Sequence, residues 1–240
     1  MISIGSLNEK SLHAALKAWY LQPGDQTEVP VDGYIVDIVR GDLLIEIQTR
    51  NFSAIKAKLL TLTAQCPVRL IYPIAQQKWI VKLPTNGDGK QCRRKSPKRG
   101  TLFHIFEELV SFPKLLINPN FSLHIVSIQE EEVRCYDGRR GWRRKGWITH
   151  ERRLLQVMEE HFFENPEDME FLIPTSLSDT FTTTDLASAL NTSRRLAQKM
   201  AYCLDRMNLF TRIGKRGNAI VYRRSKSVWR GECKLDRTTI

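Results

Sequence analysis

Hydrophobic residues recur at helical spacing in some segments of the chain and at strand spacing in others. Leu12, Leu16 and Trp19 with Tyr20 share one face of a helix, for which Asn8 is a suitable cap. Downstream, apolar runs typical of strands alternate with helical patterns. The predicted strands are residues 34–39, 43–48, 68–74, 79–83 and 122–128, and the predicted helices are 52–62 and 102–109. This order predicts an α/β fold around one mixed sheet.

The second half of the chain favours helices that end in a short hairpin. Leu154, Leu155, Met158 and Phe162 predict one helix, and residues 184–190 and 194–207 predict two more around a turn at 191–193. Residues 210–213 and 219–222 then form the hairpin. A glycine-containing basic run at 134–147 reads as a linker. We therefore predict a first domain at 1–133, a second at 148–224 and a polar tail at 225–240.

The charge of the chain and its cysteines indicate which binding partner, location and cofactors to expect. The 240 residues hold 37 Lys and Arg against 26 Asp and Glu, a formal charge of +11 that favours a polyanion. Five scattered cysteines without a Cys-x-x-Cys pair argue against disulfides and structural zinc, so a cytoplasmic location is expected. We expect no signal peptide, no membrane span and no nucleotide cofactor, since Gly87-Asp88-Gly89 lacks the Lys-Ser/Thr of a phosphate-binding loop.

Two acidic residues meet on one predicted hairpin. Gly41-Asp42 suits a two-residue turn, because glycine supplies the positive φ that the turn needs. The resulting register pairs residue 40 with 43, 39 with 44 and 38 with 45, and places Asp37 opposite Glu46, with Gln48 on the same face. Facing carboxylates are destabilising unless something offsets their repulsion. A divalent cation that bridges Asp37 and Glu46 is the simplest explanation.

This pattern resembles the restriction-endonuclease-like nucleases with the PD-(D/E)xK signature, in the Glu-x-Gln form Glu46-Ile47-Gln48. The resemblance covers about residues 8–83. It implies that Asp37, Glu46 and the Ile47 carbonyl bind Mg²⁺ or Mn²⁺ and that Gln48 orients the attacking water. It also implies an extra acid, Glu9 being the best match and Glu28 a competitor. Lys56 on the following helix is expected to contact phosphate, and a homodimer is expected for cleavage of two strands.

Residues 148–224 resemble a winged helix-turn-helix domain, a fold that commonly binds DNA. The resemblance implies a recognition helix at 194–208 and a wing whose tip carries Lys215 and Arg216. The expected DNA contacts are Arg194, Arg195, Lys199, Lys215 and Arg216, joined by Arg143 and Arg144 of the basic run. In that run, Trp142 and Trp147 interleave with arginines, a pattern that suits either phosphate tracking with base stacking or a plain solvated linker.

Three interpretations of the acidic pair stay open. The first is a metal-dependent DNA endonuclease. The second keeps the fold but loses the chemistry, giving a non-catalytic DNA-binding regulator, because Gln48 cannot supply the positive charge of the usual lysine. The third treats Asp37 and Glu46 as surface acids paired with Arg40, Arg50 or Lys56, with no metal. RNA as the substrate is also compatible with the basic clusters.

Overall fold

A computed structural model describes residues 10–84 and 91–225 of the chain. Among the described residues up to 163 there are three α-helices and seven strands. These are α1 (Lys10–Tyr20), β1 (Gln26–Val31), β2 (Tyr34–Arg40), β3 (Leu43–Ile47), α2 (Lys56–Leu62), β4 (Val68–Lys82), β5 (Cys92–Lys95), α3 (Phe106–Leu109), β6 (Phe121–Tyr136) and β7 (Trp147–Phe163). Helix α2 follows a short 3₁₀ turn at Phe52–Ile55. The two strands predicted at 68–74 and 79–83 are one long strand, β4.

The seven strands form one mixed sheet in the order β1-β2-β3-β4-β6-β7, with β5 pairing to β4. Strand β4 is parallel to both β3 and β6, whereas the other neighbours are antiparallel. Helices flank this sheet, and the prediction of a mixed α/β fold is confirmed at that level. The parallel pairs require crossovers, which α2 and α3 with their 3₁₀ turns provide.

The hairpin of β2 and β3 has the predicted register. Arg40 pairs with Leu43, and the pairing continues through Val39 with Leu44 to Ile38 with Ile45. Gly41 has a φ of 56°, the left-handed conformation that the tight turn requires.

The hydrophobic core has two parts, one on each face of the sheet. On one face, Leu12 and Leu16 of α1 pack on Ile38, Ile45 and other residues of the central strands. The larger cluster on the other face begins with residues such as Phe52, Leu70 and Phe106 and continues without a break to Phe181, Leu204 and Tyr222 near the end of the chain. One core therefore joins the sheet to the C-terminal elements.

The helix predicted from Leu154, Leu155, Met158 and Phe162 is wrong, because these residues lie in the 17-residue strand β7. Strand β7 pairs with β6 over its whole length, from Tyr136 with Trp147 to Leu123 with Phe163. The predicted linker at 134–147 is consequently the turn end of the β6–β7 hairpin and does not separate two units of secondary structure. Strand β6 continues beyond the predicted end at residue 128 to Tyr136.

The C-terminal elements are β8 (Thr180–Thr182), α4 (Thr183–Ala189), α5 (Arg194–Arg206), β9 (Phe210–Arg216) and β10 (Ala219–Arg224). Strand β10 lies between β8 and β9 in a second, three-stranded sheet. The Ser193 hydroxyl caps α5 by accepting the Leu196 N–H at 3.2 Å. The two predicted helices and the hairpin are present as elements, while the predicted tail lies almost wholly outside the described residues. Within the described ranges, no helix is both long and apolar enough to cross a membrane.

Candidate functional site

The two predicted acids lie where β2 and β3 stop pairing. Ile38 and Ile45 are the last paired residues of the hairpin, so Asp37 and Glu46 follow directly after the ladder. Instead of a further ladder bond, the Ile47 N–H donates to Oδ2 of Asp37 at 2.8 Å. The local geometry therefore places the first carboxylate against the main chain that carries the second.

Helix α1 contributes His13 to this site. Its Nε2 lies 3.1 Å from Oδ2 of Asp37. The hydrogen bond with Asp37 raises the pKa of His13 above its ordinary value, more than burial lowers it. Burial raises the pKa of Asp37, but the hydrogen bond and charge of His13 outweigh it, so the Asp37 pKa is lowered. The pair favours an ionised carboxylate beside a cationic imidazole.

Helix α2 contributes Lys58, whose ammonium lies 2.5 Å from Oε1 of Glu46. Glu46 is almost fully buried, 4% exposed, and its Oε1 has no hydrogen bond of good geometry despite this close ion pair. Burial and the neighbouring Asp37 together raise the pKa of Glu46 to about 7, although Lys58 opposes this shift. A carboxylate whose pKa is raised by burial and by a neighbouring acid is typical of functional sites.

Gln48 follows Glu46 by two residues, and its side-chain amide bonds to the loop after β3. Its Nε2 donates to the backbone oxygens of Arg50 at 2.5 Å and Asn51 at 3.2 Å. An open pocket of about 490 Å³ adjoins this amide and the His13 ring, and the loop after β3 forms its other wall. Gln48 therefore stabilises the loop in this conformation through its Nε2.

The donor set fits a divalent cation held partly by water and phosphate. Mg²⁺ is commonly bound by one or two protein carboxylates with the remaining ligands from solvent and substrate. Glu46 Oε1 is buried and has no well-formed hydrogen bond, but the Lys58 ammonium lies 2.5 Å away, so a divalent cation there would share this oxygen with Lys58 or displace it. In the described part of the chain, no group of three or more His, Cys, Asp or Glu side chains converges. Glu9, the predicted additional acid, lies outside the described residues.

The structure places His13 on Asp37 and Lys58 on Glu46, while Arg40, one of the cations predicted to pair with the acids, pairs with Asp25 at 2.8 Å. Lys56, the lysine predicted for this helix, faces a separate groove beside Tyr202 and Arg206. The competitor Glu28 is exposed and pairs with Lys17 at 2.9 Å. Lys58 could have been found from the rotational phase of α2, which Leu59 and Leu62 set because both are fully buried.

Most of the C-terminal cations predicted to contact DNA are exposed, and one is bonded to the main chain of another element. Arg194 and Arg195 are exposed at the start of α5, and Lys215 and Arg216 are exposed at the end of β9. Lys199 is instead engaged, since its Nζ donates to the Glu107 carbonyl of α3 at 3.4 Å.

The two arginines predicted in the basic run also differ. Arg143 is exposed with its guanidinium 5.0 Å from the centre of the Trp142 ring. Arg144 pairs with the buried Glu132 at 3.1 Å and thereby braces the β6–β7 hairpin. Of the predicted nucleic-acid contacts in this run, only Arg143 extends freely from the surface.

Comparison with known proteins places the acidic site inside one family. Residues 10–164 match the family described as a domain of unknown function, DUF8091. The match begins at α1, ends one residue after β7 and so contains His13, Asp37, Glu46 and Lys58. The chain is also 31% identical over 224 residues to an uncharacterized protein of Treponema pallidum (strain Nichols), which covers 93% of this chain and 88% of that protein. No solved structure matches. The chain belongs to the DUF8091 family.

Proposed function

We propose that the protein is a metal-dependent DNA endonuclease with a restriction-endonuclease-like sheet and a C-terminal winged helix. The observation that carries the proposal is the convergence of Asp37 and Glu46 at the splayed end of one hairpin, with Lys58 on Glu46 at 2.5 Å. The order α1, three antiparallel strands, α2 and a parallel strand supports the same fold type. A buried carboxylate such as Glu46 is costly to keep in a fold unless cations compensate its charge.

In this proposal each polar group has one task. Asp37, Glu46 and the Ile47 carbonyl would hold Mg²⁺ or Mn²⁺, and the Ile47 N–H fixes the orientation of Asp37. When bound, the cation would neutralise charge on the phosphate and lower the pKa of a water molecule. A water oxygen forms a bond to phosphorus, one bridging P–O bond breaks, and the leaving oxygen takes a proton.

Lys58 provides the positive charge that Gln48 cannot. Its ammonium is fixed between Oε1 of Glu46 and the Ile35 carbonyl at 2.5 Å, so it is preorganised beside the acids. A fixed cation there stabilises the negative charge that develops on the phosphate. His13 holds Asp37 from the α1 side.

The C-terminal elements are proposed to hold the DNA. The exposed N-terminus of α5 carries Arg194 and Arg195, and the hairpin of β9 and β10 carries Lys215 and Arg216 at its turn. This arrangement of capped helix and basic hairpin supports contacts to a groove and to flanking phosphates. A homodimer is proposed for cleavage of both strands, and gel filtration in the presence of DNA tests it.

Plasmid cleavage tests the proposal. Purified wild type is incubated with supercoiled DNA and Mg²⁺, Mn²⁺ or EDTA, beside Glu46→Ala and the matched control Glu28→Ala, which removes an exposed glutamate. We expect metal-dependent nicking or linearisation by wild type and the control, and none by Glu46→Ala, while all three bind DNA alike in EDTA. Cleavage that persists in EDTA or in Asp37→Ala contradicts the assignment.

One observation favours a second function, a DNA-binding regulator without nuclease activity. The Gln48 amide is tied to the loop carbonyls of Arg50 and Asn51, and His13 and Lys58 already neutralise the two acids. This alternative needs no metal. It predicts tight DNA binding without cleavage and no rise in melting temperature on addition of Mn²⁺, whereas a working site is stabilised by its ion.

A further inference from the structure

Three strands extend far beyond the acidic site. Ile47 at the end of β3 pairs with Ile71, and β4 then continues for eleven residues to Lys82. At 3.3 Å per residue this extension reaches about 35 Å. Strands β6 and β7 accompany it to Tyr136 and Trp147. We call residues 72–82, 125–136 and 147–161 the arm and residues 137–146 its tip.

The tip has a defined conformation. The Asp137 carboxylate accepts the backbone N–H groups of Arg139 and Arg140, and the Arg144 N–H donates to the Gly141 carbonyl at 2.7 Å. A Cβ on Gly141 would lie 2.6 Å from the Trp147 carbonyl oxygen, so only glycine fits there. Hydrogen bonds and close packing at Gly141 therefore fix the backbone conformation of the tip.

The tip presents cations around one exposed indole. Arg144 is engaged by Glu132 and Arg140 lies 3.9 Å from Asp137. In the part of the chain that the structure describes, Arg139, Arg143 and Lys145 have no carboxylate partner. Trp142 is 80% exposed, and the Arg143 guanidinium lies 5.0 Å from its ring centre. An uncovered indole beside unpaired cations matches a ligand with flat apolar faces and negative charge.

We infer that the tip binds an unpaired nucleotide of DNA, with its base stacked on Trp142 and its phosphates at Arg139, Arg143 and Lys145. In a duplex both faces of each base are covered by neighbours, so only an unpaired base offers a face to the indole. The inference rests on the proposed function for the identity of the ligand as DNA. It deepens that function by naming the substrate class as DNA with a single-stranded region near duplex.

Fluorescence anisotropy in EDTA tests the inference without cleavage. The probes are a single strand, its blunt duplex and the same duplex with a single-stranded overhang, each carrying one dye. The variants are Trp142→Ala and the control Trp19→Ala, whose ring is 43% exposed on α1 and contacts Tyr20. We expect Trp142→Ala to weaken binding of the single strand and the overhang at least tenfold, leaving blunt duplex unchanged. The Trp19→Ala control should bind like wild type.

A second variant separates phosphate contact from stacking. Arg143→Ala with Lys145→Ala should weaken binding to all three DNAs and lower the salt dependence of the affinity by about two phosphate contacts. Equal losses on blunt and single-stranded probes for Trp142→Ala, or no DNA binding by wild type, would overturn the inference. Its failure is distinguishable from failure of the nuclease proposal, because binding in EDTA requires no cleavage and Asp37→Ala should bind all probes normally.

Discussion

Glu132 offers a quantitative test of how the arm is stabilised. Its carboxylate is 4% exposed and accepts from Arg134 at 2.8 Å, Thr149 at 2.9 Å and Arg144 at 3.1 Å, with Lys78 at 3.2 Å on the other oxygen. These contacts connect β4, β6, β7 and the tip. We therefore predict that Glu132→Gln, which keeps the shape of the side chain, destabilises the protein in a pH-dependent way.

The magnitude follows from the pKa of Glu132. Burial raises this pKa, but Arg134, Lys78 and Thr149 lower it more strongly, from an ordinary 4.5 to about 2. The unfolded chain therefore binds the proton between pH 4.5 and 2 while the folded chain does not, so the stabilisation is complete above pH 4.5 and is lost as the pH falls. A shift of this size corresponds to about 3 kcal/mol of unfolding free energy at pH 7 and about 1 kcal/mol at pH 3.

Urea unfolding of wild type and Glu132→Gln at pH 7 and pH 3 measures both values. The control is Glu131→Gln on the same strand, since Glu131 pairs with Arg93 and Arg153, whose side chains are half exposed. Such a pair contributes up to about 1 kcal/mol. If Glu132→Gln costs the same at both pH values, or no more than the control at pH 7, the carboxylate does not stabilise the arm as argued.

Three further predictions follow from other parts of the molecule. Lys58→Ala should lower the cleavage rate about 100-fold in the plasmid assay, whereas Lys56→Ala, on the other side of α2, should change it by less than threefold. Burial and, to a lesser extent, His161 lower the pKa of His124 from 6.5 to about 4, although its Nε2 lies 2.9 Å from a carboxylate oxygen of Glu160, which opposes this shift. The unfolded chain therefore takes up this proton at a higher pH than the folded chain does. Stability should therefore fall by up to about 3 kcal/mol from pH 7 to pH 4, and in His124→Phe this part of the loss, measured by urea unfolding, should disappear. Gly141→Ala should lower the unfolding free energy by about 2 kcal/mol, because the added Cβ meets a backbone oxygen. Gly217→Ala has open space around the added Cβ and should cost only about 1 kcal/mol of backbone strain. Denaturant midpoints measure both changes.

Local signals in the sequence predict the hairpin of β2 and β3 but not strand β7. Gly41-Asp42 defines both the turn and the register of β2 with β3, because a two-residue turn leaves no freedom in the pairing. Strand β7 was wrongly predicted as a helix because its pairing with β6 shifts at three irregularities, which interrupt the alternation of period two. Leu154 consequently faces the core while Leu155 and Met158 are exposed, a spacing that imitates a helix.

The candidate site was predictable in its acids and not in its cations. Asp37 and Glu46 follow from the register alone. Choosing Lys58 over Lys56 requires the rotational phase of α2, which its packing in the core decides through Leu59 and Leu62. His13 reaches Asp37 only because α1 lies across the sheet, a tertiary arrangement that no local pattern encodes.

The uninterrupted core has a consequence for how the protein responds to a ligand. Residues on both sides of position 164 share one apolar cluster, and Lys199 of α5 bonds to the backbone of α3. A chain cut after the family match would expose the face that Phe181 and Leu204 now cover. The acidic hairpin and the basic helix α5 therefore rest on one core, and we expect a ligand that binds at either end to stabilise the whole fold against unfolding.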